Sequence, residues 1–407
     1  MRDKRDVHHV PKNPRISVLV PVHDAERYLV QCLNSLLRQT IPSMEIICID
    51  DGSSDSSAKI LAAFARRDPR IHILTHENHG YGYTLNKGLD AAEGDYIGIV
   101  ESDDWAEPSM FEDLYCTALA TDADMAKSNF YMEWTHPKHR EMYRCFDKKD
   151  DGLIICPRED PQGRLFRKKP TVWSSIYRRS FLDDNRIRFL ETPGASFQDT
   201  SFNFKALWLA EKVACVTTPY IHYRQDNEAS SINSKDMAYC VCREYEEIER
   251  FLTGRPGSDL FAAKVLTPMI YDTFIWNYER LGADLKLPFL EEASRWFRQL
   301  LAEGRVDWAS FPESKRVNFR MIAYAPTVYN AWKRESACQP VHRQTFASSI
   351  VKRIRAALPP SSRRFDNKIR SLTRQMEALQ ATMDALVRQN TALPSSIQKS
   401  EDGTGNK

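Results

Sequence analysis

The chain has 407 residues, 42% of them hydrophobic, enough to bury one large or two medium cores, and its formal charge of +2 excludes a global field for nucleic acid or an acidic polymer. Its nine cysteines have no paired spacing, which suits a reducing compartment; Cys240 and Cys242, without further ligands nearby, read as ordinary side chains rather than a metal or redox site. Residues 1–15 are polar and no run approaches the ~18 apolar residues of a membrane span, so a cytoplasmic protein is expected.

Ile16 to Val22 is a short run rich in β-branched residues and predicts a buried strand. A helix follows from Glu26 to Gln39, with Tyr28, Leu29, Cys32, Leu33, Leu36 and Leu37 at helical spacing, and Pro42 ends the pattern. The alternation continues: strand Glu45–Ile49, helix 56–66, strand Ile71–Leu74, helix 84–92 and strand Tyr96–Val100. It predicts an α/β domain with a parallel sheet covered by helices on both faces. Further strands are expected near 125–132 and 213–217, and helices near 178–185 and 200–210. Long amphipathic stretches around 240–253, 260–281 and 290–303 then predict a helical region over 235–340.

Residues 341–364 combine Phe346, Ile350, Val351, Ile354 and Leu358 with Lys352, Arg353, Arg355, Arg363 and Arg364, a basic amphipathic segment. Contact of 344–364 with the inner face of an anionic plasma membrane and a merely solvated helix are both open readings. Over 365–393, Phe365, Ile369, Leu372, Met376, Leu379, Met383 and Leu386 alternate spacings of four and three, which predicts a coiled coil and hence a homo-oligomer. The tails 1–14 and 394–407 are polar.

Two acidic clusters fall at strand ends, where ligands collect in open α/β sheets. Asp50, Asp51 and Asp55 follow the second strand; Asp103 and Asp104 follow the fourth. Carboxylates so placed can hold a hard divalent cation against a diphosphate, although Ser102, Asp103 and Asp104 could equally cap a helix.

These segments resemble the family 2 glycosyltransferases with the GT-A (Rossmann-like) fold, over about Arg15 to Ser231. Ile16 to Asp24 is similar to that family's opening strand, Asp50 to Asp55 to its nucleotide-binding loop, and Glu101 to Asp104 to its DXD-type motif, with Glu101 in the place of the usual first Asp. The resemblance implies a catalytic domain over 15–234 that transfers a sugar, with inversion, from a nucleotide-diphosphate sugar to a glycan or lipid-linked acceptor. It implies that Asp51 accepts from the base N–H, with Pro21, His23 and Glu26 lining that pocket. Asn86 would face the sugar phosphate, Asp103 the ribose or the metal, and Asp104 would bind Mn²⁺ or Mg²⁺.

Gly194 to Phe202 resembles the segment carrying the family's catalytic base, commonly Glu-Asp. Here Gln198 takes the first place, leaving Asp199 as the expected general base; the competing reading makes Asp199 a helix N-cap. His222 and Arg224 are candidates for phosphate contact or for packing. The implied setting is bacterial surface polysaccharide, lipopolysaccharide or cell-wall glycan synthesis. The rival from another class is an inactive nucleotide-sugar-binding module of the same fold. A nucleotidyltransferase is disfavoured by the lack of a glycine-rich, Lys/Arg-bearing loop after the first strand. A processive synthase is disfavoured because Arg295-Trp296 lacks the Gln of a Gln-x-x-Arg-Trp motif.

Overall fold

The computed structural model describes residues 14–227 and 238–337. The 341–364 basic segment, the 365–393 coiled coil, the 394–407 tail and nearly all of the 1–14 tail lie outside the described residues.

β1 (Ile16–Val22), α1 (Leu29–Leu37), β2 (Met44–Asp51), α2 (Ser57–Ala65), β3 (Ile71–His76), α3 (Tyr81–Ala91) and β4 (Tyr96–Ile99) alternate as the hydrophobic periodicity predicts. β1 and β2 are buried at every position, as expected of central strands covered on both faces. α1 turns Leu29, Cys32, Leu33 and Leu36 inward, the one-face spacing of its apolar residues. Then come β5 (Trp105–Ala106), α4 (Met110–Thr121), β6 (Met125–Trp134), β7 (His139–Tyr143), β8 (Ile154–Ile155), β9 (Ser175–Arg178), α5 (Arg179–Asp184), α6 (Gln198–Leu209) and β10 (Val213–Arg224).

The ten strands form one sheet in the order β3-β2-β1-β4-β9-β6-β10-β5, with β7 beside β6 and β8 beside β10. β1 to β4 are mutually parallel where they pair, but β9 is antiparallel to both β4 and β6. The sheet is therefore mixed rather than parallel throughout. The alternation that predicts parallel crossovers stops at residue 100, and the long segment between β7 and β9 brings β9 in without a crossover helix. β1 connects to β2 on one side while β4 lies on its other side, so the strand order reverses there. Crevices at such reversals sit beyond the carboxyl ends of the strands.

The helices α7 (Cys240–Leu252), α8 (Ser258–Phe261) and α9 (Thr267–Arg280), with a π-helical turn over Ala262–Leu266, belong to the same compact unit as the sheet. Glu244 on α7 accepts from the Ser201 amide of α6 at 3.0 Å, and Lys205 pairs with Glu247 at 3.2 Å. A second compact unit comprises 286–302 and the described residues from 312 onward. It holds most of α10 (Ala283–Ala302), with α11 (Glu313–Tyr324) and α12 (Pro326–Ala337). Within it Phe297 stacks on Phe319 at 4.2 Å, and Ser294 donates to the Ala323 carbonyl at 2.8 Å.

Candidate active site

The loops after β1 and β2 are joined by their own carboxylates. Asp24, at φ +47°, accepts from the amides of Ser54 at 2.7 Å and Asp55 at 3.2 Å. Glu26 accepts from the Ser56 amide at 2.9 Å, while its own amide donates to Asp55 at 2.9 Å. Pro21 is buried in β1. His23 places Nδ1 2.9 Å from the Asp51 carbonyl, and Asn78 Nδ2 lies 3.2 Å from its Nε2.

Asp51 is buried, and its two carboxylate oxygens accept from the amides of His79 at 2.7 Å and Gly80 at 3.0 Å. Gly80 has φ +94°, and a Cβ there would meet backbone atoms of Thr192 and Gly194 at 2.8 Å, so only glycine allows this approach. Tyr81 N donates to the Gly194 carbonyl at 2.9 Å, which fastens this loop to the segment leading into α6. Asn86 serves the same junction. Its carboxamide bonds both backbone groups of Phe189, at 2.9 and 3.0 Å, and Glu191 Oε1 at 2.9 Å, so it anchors 189–191 through groups expected to face a sugar phosphate.

After β4, Glu101 accepts from the Tyr81 hydroxyl at 2.6 Å. Burial pushes its carboxyl up to about 8, and the charges of Asp103 and Asp199 act in the same direction against the Tyr81 hydrogen bond. Asp103 Oδ2 accepts from Asn227 at 2.8 Å. Asp104 is 1% exposed; Oδ1 accepts from the Arg224 amide at 2.8 Å, whereas Oδ2 is buried without any partner. Burial, then the Asp103 charge, raises the Asp104 carboxyl well above its ordinary value. α4 begins at Met110 after Ser109, and β5 intervenes, so Asp103 and Asp104 do not cap it.

Arg224 is a clamp for this motif. Its guanidinium donates to the Asp103 carbonyl at 3.0 Å, Thr135 at 2.8 Å and Gln31 at 2.9 Å, and lies 4.3 Å from the Tyr28 ring centroid. His222 is 2% exposed between Trp105 and Tyr131, with its nitrogens 2.8 Å from Glu107 and 3.3 Å from Glu133. Both residues are engaged within the protein.

An orphaned buried carboxylate oxygen next to a second carboxylate is the donor chemistry of a hard divalent cation. Among the described residues no group of three or more His, Cys, Asp or Glu side chains could enclose an ion. Asp103 and Asp104 fit the donor chemistry of such a cation and would be its two protein ligands.

α6 starts at Gln198 behind Phe197, and no side chain caps it. Asp199 stands in the first turn, with Thr200 Oγ1 at 3.4 Å as its hydrogen-bond neighbour, so the N-cap reading does not hold. Burial raises its carboxyl to about 6, with Lys169 the strongest opposing influence. Gln198 donates to Thr192 Oγ1 at 2.9 Å and the Gly194 carbonyl at 3.2 Å and accepts from the Ser196 amide. The donation to the Gly194 carbonyl requires an amide, so a Glu at 198 could not make it.

Two lysines escape sequence reasoning. Lys127, 1% exposed on β6, donates to Thr171 O and Oγ1, Ser174 Oγ and Ser175 Oγ at 2.7 to 3.2 Å, pinning the segment that follows Lys169. Lys169 places its ammonium 4.3 Å from the Tyr223 ring centroid, and both Asp199 and Asp104 act on it electrostatically. Lys168-Lys169-Pro170 carries no spacing signal; only the tertiary fold brings it to Asp199.

Residues 17–208 match the family model described as glycosyl transferase family 2. YibD of Escherichia coli (strain K12), named as an uncharacterized glycosyltransferase, is 30% identical over 246 residues, covering 58% of this chain and 70% of its own length. The chain belongs to glycosyltransferase family 2. EpsH of Bacillus subtilis (strain 168), named as a putative glycosyltransferase, is 34% identical over 216 residues, 52% of this chain; the chain spans 61% of the length of EpsH. Among solved structures, Staphylococcus aureus TarS 1-349 in complex with UDP-GlcNAc superimposes with a TM-score of 0.59 at 18% identity, covering 79% of this chain and 92% of TarS 1-349. That likeness establishes the GT-A fold for this family 2 chain, including helices beyond the sheet.

Proposed function

We propose that this family 2 chain transfers a sugar from a nucleotide-diphosphate sugar to an acceptor hydroxyl with inversion. The observation that carries the reading is the place of Asp199: in the first turn of α6, half-buried, outside any protein ion pair within 4 Å among the described residues, with burial raising its carboxyl to about 6. A general base needs a free carboxylate poised near the working pH.

In this reading Asp199 takes the acceptor proton as the acceptor oxygen bonds to the anomeric carbon. The bond from that carbon to the diphosphate oxygen breaks on the opposite side, and a single displacement inverts the centre. Mn²⁺ or Mg²⁺ held by Asp104 and Asp103 would neutralise charge on the diphosphate. Arg224 keeps those two residues in place. Pro21, His23, Glu26 and Asp51 belong to the nucleotide side, where Asp51 and Glu26 order the loops through backbone amides. Asn86 acts there by holding the 189–191 segment.

A likeness to the poly(ribitol-phosphate) beta-glucosyltransferase of Bacillus spizizenii, 26% identical over 296 residues, supports a bacterial surface or cell-wall glycan as the product; a lipopolysaccharide product and a glycan or lipid-linked acceptor are part of the same proposal. No helix among the described residues is long and apolar enough to cross a membrane. A cytoplasmic enzyme, peripheral through 344–364 and oligomeric through 365–393, is part of this proposal. Incubation with a panel of nucleotide sugars and Mg²⁺ or Mn²⁺ tests it: one donor should release nucleoside diphosphate, and a chain that binds and turns over none would overturn it.

A further inference from the structure

We propose that Trp276 and Phe197 form an acceptor subsite that stacks the apolar face of a pyranose ring beside Asp199. This inference rests on the transferase reading above and names the class of acceptor.

Trp276 lies on α9 and is 48% exposed, one of the few large apolar side chains of the described residues with so much surface in water. It is nevertheless held in place. The Phe197 ring meets it nearly perpendicularly, at 85° and 5.8 Å between centroids, and the Arg280 guanidinium lies 4.3 Å from its centroid and 5.5 Å from that of Phe197. An exposed indole with a fixed orientation offers a flat face without having to be ordered on binding.

Its neighbour ties this face to the chemistry. Phe197 immediately precedes α6, two residues before Asp199, and holds φ +67°. A bulky residue in the left-handed region is strained, and such strain concentrates at ligand-contacting sites. Gln198 locks the 192–198 segment from behind, so the Phe197 ring and the Asp199 carboxyl are set by one turn of backbone. The aromatic pair therefore stands at the start of α6, the end of that helix that carries Asp199 in its first turn.

An acceptor hydroxyl must come to Asp199, so the rest of the acceptor extends over its neighbours. A pyranose presents a rigid face of C–H groups that suits an aromatic platform, whereas an open-chain polyol has no such face. Stacking would position the sugar while leaving its hydroxyls free for the base.

Saturation-transfer NMR on the full chain with Mg²⁺ tests this. UDP, GDP and dTDP are offered first. A mixture of methyl glucoside, methyl galactoside and methyl N-acetylglucosaminide follows, and ribitol is offered separately. At least one pyranoside should receive saturation mainly on the C–H protons of one ring face, with affinity falling about tenfold in Trp276→Ala and largely retained in Trp276→Phe. Ribitol should receive none, and the nucleotide signal should be the same in all three proteins. No pyranoside bound by the wild type, equal affinity in Trp276→Ala, ribitol binding as strongly, or a nucleobase signal lost with Trp276 would each overturn the subsite. Failure of all three nucleotides to bind the wild type would instead sink the transferase reading itself.

Discussion

The backbone amide of Arg224 donates to Asp104 Oδ1 at 2.8 Å, across 120 positions of sequence, and leaves Asp104 Oδ2 buried without a partner. β10 thereby fixes the orientation of the acidic motif after β4. Because the donor is an amide, this bond survives any side-chain change at 224 other than proline. The guanidinium bonds to Asp103 O, Thr135 and Gln31 do not. Arg224→Lys should therefore keep the fold but weaken the metal requirement's midpoint about ten- to a hundredfold, measured by metal titration of nucleoside diphosphate release.

Asp199→Asn removes the proton acceptor while keeping the shape of the first turn of α6. Transfer should fall about a hundred- to ten-thousandfold, with nucleotide-sugar affinity within about twofold of wild type by calorimetry. Unchanged transfer would assign the base elsewhere.

Activity should rise with pH along an acidic limb near 6, because burial raises the Asp199 carboxyl to about 6 and the base works when deprotonated. The Lys169 ammonium opposes that rise, so Lys169→Met should move the limb upward by roughly one unit. The pH profile of kcat/KM checks both statements, and a limb that stays put in the variant would show that Lys169 does not act on Asp199.

Glu244 gives a stability test. It is 1% exposed, accepts from Ser201 N, and burial raises its carboxyl from 4.5 to about 8. A carboxyl raised in the folded state favours folding below its unfolded pKa, and that contribution is lost as pH rises from about 4.5 through about 8. The slope is at most about 1.4 kcal/mol per pH unit for one group. Glu244→Gln keeps an oxygen for the Ser201 amide and has nothing to ionise. Denaturant unfolding should find it equal to wild type near pH 4.5 and more stable near pH 8.

Much of this was legible in the sequence wherever periodicity and strand-end chemistry coincide. β1, β2 and β4 are mostly apolar runs, and the acidic residues that end β2 and follow β4 stand at the same carboxyl end of these parallel strands. The mixed half was not legible: β9 has only four residues, and β5 and β8 two each, too short for a period-two signal. Nor could sequence show that Asn86 and Gln198 spend their amides on backbone groups of distant or adjacent loops, since those partners exist only in the folded chain. Lys169 shows the same limit, being a lysine in a charged stretch until the fold sets it near Asp199.

The most direct measurement of the central claim is nucleoside diphosphate release from a nucleotide-sugar panel, with and without Mg²⁺ or Mn²⁺, by wild type, Asp104→Ala and Asp199→Asn. One donor should be hydrolysed slowly by wild type only when metal is present. Asp104→Ala should abolish that release, and Asp199→Asn should abolish transfer to an acceptor while still binding donor. Release that is indifferent to metal and to Asp104, or the absence of any bound donor, would contradict the account.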